Sequence, residues 1–104
     1  MKIRVSRELE VSLQAPDDLK RFKMVLEVDR KRLPAVGKAL AGIALLDGVE
    51  VAWVSADWLR QQSGLSESPE WNQRFEGMLE FARKQGWVRE APVMVRCHLE
   101  WAGD

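Results

Sequence analysis

The sequence predicts an α+β domain, and three observations carry that prediction. Apolar residues alternate with polar ones from Lys2 to Gln14 and again from Val93 to Trp101; a period of two is the mark of a half-buried strand. Between these stretches lie two segments with helical spacing, each preceded by a serine fit to cap it. With 104 residues, the chain is the size of a single domain that buries roughly 65% of its unfolded surface.

The elements follow in order. Ile3, Val5, Leu9, Val11 and Leu13 form one apolar set, interrupted by Arg7. Thirteen residues exceed the usual strand length, so one bent strand or two short ones is expected, with the bend near Ser6 to Glu8. In APDDLKR, residues 15–21, proline followed by two aspartates suits the first turn of a helix. FKMVLEV then alternates Phe22, Met24, Leu26 and Val28 against Lys23 and Glu27, with Val25 the exception, and reads as a strand. An amphipathic helix from Pro16 to Arg32 is the alternative.

DRKR, residues 29–32, is a polar connection, and Pro34 sits where a helix can begin. Val36, Leu40, Ile43 and Ala44 form a face that predicts helix up to Asp47 and Gly48, with Gly37 and Gly42 inside it. VEVAWV, residues 49–54, is β-branched and short, hence a strand. Ser55 is placed to cap a helix that Gly64 ends, and Ser68 to cap a second, with Pro69 in its first turn and Gly86 beyond its end. Trp71, Phe75, Met78, Leu79 and Ala82 share one face of that helix and are expected in the core. Trp87 and Val88, a turn around Arg89 to Pro92, and the stretch to Trp101 form a closing hairpin.

From Pro34 onward the order is helix, strand, helix, turn, helix, strand, turn, strand. With SADWLRQQSGLS and MLEFARKQGWV, that order resembles the winged-helix family at the level of fold, over about residues 34–101. The resemblance implies that Leu59 is the buried leucine of the second helix, that Gly64 to Ser66 form the inter-helix turn, and that Gly86 ends the recognition helix before the wing. The expected architecture is therefore one domain over residues 1–104: a β-rich element over 1–33 and a winged-helix-like unit over 34–101. The segment between Leu65 and Gly86 is longer than in compact members of that family, with ESPEW as the extra turn.

Charge separates the functions this architecture could serve. The chain has 16 basic and 16 acidic residues. Ten basic against six acidic residues lie up to Lys38, and six against ten follow from Ala39. From Glu67 to Lys84 four glutamates stand against Arg74, Arg83 and Lys84, so a duplex would meet repulsion there rather than counterion release. Asn72, Gln73 and Arg74, with Arg89 and Arg96 on the wing, are the candidate DNA contacts if the helix from Ser68 to Gln85 reads bases. Arg30, Lys31, Arg32 and Lys38 are the candidate contacts for an anionic partner, set against the simpler role of keeping a turn in water. Among five tryptophans, Trp58 and Trp101 are the candidate interface residues, one opening a short helix and the other near the chain end.

No residue pattern calls for catalysis, a cofactor or a metal. His98 is the sole histidine and Cys97 the sole cysteine. As neighbours in a strand they face opposite ways and cannot form a thiolate–imidazole pair. GKALAG has Arg32 where a phosphate loop needs its first glycine and Ala39 in place of Ser or Thr. The charged start MKIRVSRE rules against a secretory leader, and Leu40–Leu46 is too short to span a membrane. The expectation is a cytoplasmic, non-enzymatic protein that works through contacts with a protein partner or with itself, without a membrane; a DNA-binding regulator is the second reading.

Overall fold

The computed structural model describes residues 1–103. It contains β1 (Lys2–Val5), β2 (Val11–Gln14), β3 (Lys23–Leu26), α1 (Leu33–Ala39), β4 (Ala44–Asp47), β5 (Val51–Ser55), α2 (Ala56–Ser63), α3 (Pro69–Lys84), β6 (Val88–Arg89) and β7 (Met94–Trp101). The fold is α+β. A single mixed sheet runs β2-β1-β3-β7-β5-β4, with β6 also paired to β7. Strands from both halves of the chain therefore share one sheet, because β7 pairs in parallel with β3 on one side and antiparallel with β5 on the other.

The N-terminal alternation resolves into two strands. β1 and β2 pair antiparallel, Val5 opposite Val11, and the Ser6 hydroxyl accepts from the Glu10 amide at 3.1 Å inside the connecting turn. Residues 15–21 form turns instead of the expected helical opening. Asp17 and Asp18 meet no continuing helix: residues 19–22 carry no helix or strand, and β3 begins at Lys23. β3 is a strand, parallel to β1, with Met24 and Leu26 fully buried.

The helix expected to reach Asp47 is a correction. α1 ends at Ala39; the chain turns through Gly42 at a φ of +78°, and Ala44–Asp47 becomes β4. The left-handed φ at Gly42 cannot continue a right-handed helix. Asp47 and Gly48 are then a hairpin signal rather than a helix end: Gly48 turns at a φ of +77° and Asp47 pairs with Val51.

The caps are where the residue types place them. The Ser55 hydroxyl accepts from the Trp58 amide, and the Ser68 hydroxyl from the Trp71 amide, each at 3.2 Å. Gly64 closes α2 at a φ of +70°. Ser68→Ala is expected to remove about 1 kcal/mol of stability, read as a lower urea midpoint with unchanged slope. Ser66→Ala is the control: its carbonyl, not its hydroxyl, accepts from Asn72.

One face of the sheet carries the core. Ile3, Val5, Met24, Leu26, Ala52, Val54, Val95, Cys97 and Leu99 pack with Val36 of α1 and Leu40 just beyond its end, Leu59 of α2, and Trp71, Phe75, Leu79 and Ala82 of α3. Phe75 stacks on Trp71, with ring centroids 4.9 Å apart, and the Arg60 guanidinium of α2 lies 5.0 Å from the Phe75 ring. Period-two geometry then places Arg4, Lys23, Val25, Trp53, Arg96 and His98 on the opposite face, which no described helix covers. No described helix is long and apolar enough to cross a membrane.

Candidate functional site

A groove opens where two strands meet end to end on one edge of β7. β6 pairs with β7 at Val95 and Met94, while β3 pairs with it from His98 onward. Trp87 and Phe22, the residues just before β6 and β3, therefore meet beside Arg96, whose amide donates to the Trp87 carbonyl at 2.8 Å. A hollow of about 200 Å³ lies between α3 and the segment before β3, walled by Leu19, Phe22, Met78, Phe81 and Trp87. A second, of about 270 Å³, opens between Val51 and His98 on the helix-free face. Phe22, Trp87 and Arg96 line both, so the two hollows adjoin across a shared wall as the two parts of this groove.

Its aromatic rim is exposed. Phe81 is 58% and Trp87 38% accessible, and their rings meet edge to face at 6.2 Å. Aromatic side chains seated beside a pocket are the chemistry that interface anchors use.

The electrostatics around the rim are uneven. Arg83 bonds both Glu80 and Glu90, at 3.0 and 2.9 Å; its hydrogen bond to Glu90 is the first cause that raises the guanidinium pKa above its ordinary value. Lys23 pairs with Glu100 at 3.4 Å. Lys20 and Arg96, which also line the groove, have no carboxylate partner within ion-pair distance among the described residues. Further along the sheet, Arg4 holds both oxygens of Glu27 at 2.8 and 2.7 Å, and this hydrogen bonding keeps the Glu27 carboxyl below the usual carboxylate range.

No family model, curated protein or solved structure matches this chain. The residues themselves therefore carry the functional argument.

The candidate DNA contacts fall on two sides of the sheet. Asn72 donates its side-chain amide to the Ser66 carbonyl at 2.8 Å, and Arg74 donates to the Asp17 carbonyl at 2.7 Å, while Gln73 is exposed. The Trp71 indole donates to the Pro16 carbonyl at 2.8 Å, so the start of α3 is fastened to the turn before β3. Arg89 and Arg96 belong to the helix-free face. Arg89 lies over the Trp53 ring at 4.0 Å and 3.8 Å from Asp47; Arg96 stands opposite Trp53 in register.

Arg30, Lys31 and Arg32 form an exposed 3₁₀ turn, capped by the Asp29 carboxylate, which accepts from the Lys31 amide at 2.8 Å. Arg32 donates to the Arg7 carbonyl at 3.1 Å, and Lys38 is exposed further along α1. Trp58 and Trp101 are half-buried against the core, and the Trp101 indole donates to the Val49 carbonyl at 2.6 Å.

The exposed aromatic pair at the groove is Phe81 with Trp87. Phe81 stands roughly 100° around the helix from the centre of the Trp71–Ala82 face. That offset was the available signal.

Cys97 is buried, and burial pushes its thiol from 9.0 up to about 12. Native protein is therefore expected to resist iodoacetamide at neutral pH and to react once urea unfolds it. Linkage gives the pH dependence its sign. The unfolded thiol ionises near its ordinary value while the folded one stays protonated, so stability declines as pH rises from about 9 towards 12.

Proposed function

We propose that this protein is a non-catalytic cytoplasmic interaction module that acts through contacts with a protein partner or a second copy of itself. The observation that carries this reading is the exposed Phe81 and Trp87 pair at the mouth of a groove. Interface anchors are enriched in aromatic residues seated beside pockets. Two further observations agree with it: the Cys97 thiol is withdrawn from reaction by burial, and His98 is exposed on the other face of its strand. Residues 34–101 read as a winged-helix-like unit, α2 and α3 joined by a tight turn and followed by the β6–β7 hairpin, with β4 added and the sheet continued into the N-terminal half.

DNA binding through α3 and the hairpin is the second reading, favoured by Arg89 and Arg96 on the strands after α3. The two separate on a titration of the full chain with duplex DNA at several salt concentrations, alongside its mass in solution. The protein-contact reading expects no duplex binding near neutral pH even at low salt. Micromolar binding with a steep inverse salt dependence would overturn it.

A further inference from the structure

The groove between α3 and the abutting ends of β3 and β6 has a chemistry that selects among partners. Its walls are apolar, and a hollow of about 200 Å³ has room for one large side chain. Its rim carries Lys20 and Arg96 without carboxylate partners among the described residues, while the carboxylates of Glu80 and Glu90 are both taken by Arg83. An occupant therefore gains by bringing an apolar anchor together with negative charge.

We propose that this groove binds an acidic peptide segment of another protein, seating one large apolar side chain between Phe22, Phe81 and Trp87 and its carboxylates against Lys20 and Arg96. This deepens the protein-contact reading and rests on it. A long nucleic acid fits the same surface less well. Beyond the groove it would run along α3, where Glu76 and Glu80 are neutralised by Arg60 and Arg83 but the exposed Glu67 and Glu70, without an ion-pair partner among the described residues, oppose phosphate. A short acidic peptide ends before it reaches them. A second copy of the chain could offer the acidic start of α3, where Glu67 and Glu70 are exposed, and the dimer arm of the test distinguishes it.

The test selects displayed random peptides on the intact protein, then measures synthetic versions against wild type, Trp87→Ala and Arg96→Glu, each variant first shown by thermal unfolding to be folded. Both substitutions are at exposed side chains, and the charge reversal keeps the test open if the tryptophan variant is unstable. The expected result is enrichment of Asp and Glu around a Leu, Phe or Trp, with affinity falling about tenfold or more in each variant and weakening as salt rises. Selected peptides that bind both variants as well as wild type would overturn the groove and leave the protein-contact reading standing. Failure to select peptides, with oligothymidylate binding that Arg96→Glu abolishes, would overturn both. A wild-type dimer that Trp87→Ala returns to monomer would assign the groove to a second copy and overturn the acidic-peptide assignment alone.

Discussion

Phe75→Ala is expected to lower the melting temperature of the full chain by at least roughly 12 °C. Truncating a buried phenylalanine costs about 3–5 kcal/mol, and in a chain of this size each kcal/mol moves the midpoint by about 4–8 °C. Phe75 is fully buried, stacked on Trp71 at 4.9 Å, and roofed by Arg60 of α2 at 5.0 Å. The same Arg60 reaches Glu76 at 2.6 Å and Asp57 at 3.2 Å. These ion pairs are exposed and contribute little by themselves, but they hold the guanidinium over the ring. The loss thus acts on two helices at once. Calorimetry of wild type and variant checks it, and a shift below about 4 °C would mean that α3 does not dock through this face.

Leu26→Ala is the second large effect, at about 2–5 kcal/mol. Leu26 is fully buried in β3, between Val5 of β1 and Trp101 of β7 in register. This is where the N-terminal strands join the rest of the sheet. Lys23→Ala in the same strand is the comparison: it removes only the exposed pair with Glu100, a contribution of about 0–1 kcal/mol. Urea unfolding of both variants distinguishes a strand that joins the two halves from a peripheral segment. Equal small losses would contradict the β1-β3-β7 arrangement.

The parts of this fold that were legible in the sequence are those set by local chemistry. Ser55 and Ser68 cap their helices through their own hydroxyls, Gly64 takes the left-handed turn that ends α2, and β7 alternates because one face meets the core. These features need only neighbours in the chain. The extent of α1 was not legible, since Ile43 and Ala44 continue a helical spacing and only Gly42 breaks it. β4 becomes visible once Asp47 and Gly48 are taken as a hairpin turn between two apolar runs. Nor was the parallel pairing of β1, β3 and β7, because partners as distant as Met24 and Leu99 leave no periodic trace.

The candidate site divides in the same way. The acidic character of α3 and the exposure of Arg96 and His98 follow from residue type and strand parity. The groove depends on Phe22 and Trp87 meeting across a distance in sequence that no local pattern records. Trp58 and Trp101 are half-buried against the core, while Phe81 is exposed by its angular offset on α3.

The central claim is that the contact surface is the groove at Trp87 and not the start of α3. It is tested most directly by the indole and amide N–H resonances of the full chain. Trp53, Trp71 and Trp101 hold their indole protons in hydrogen bonds to Asp47, Pro16 and Val49; of the remaining Trp58 and Trp87, Trp87→Phe assigns the resonance that reports on the groove. Adding an acidic, leucine-bearing synthetic peptide is predicted to move the Trp87 indole and the amides of Phe22 and Arg96, while duplex DNA at low salt leaves Asn72, Gln73 and Arg74 in place. Shifts of those three amides on adding duplex, with an unmoved Trp87 indole on adding peptide, would contradict it.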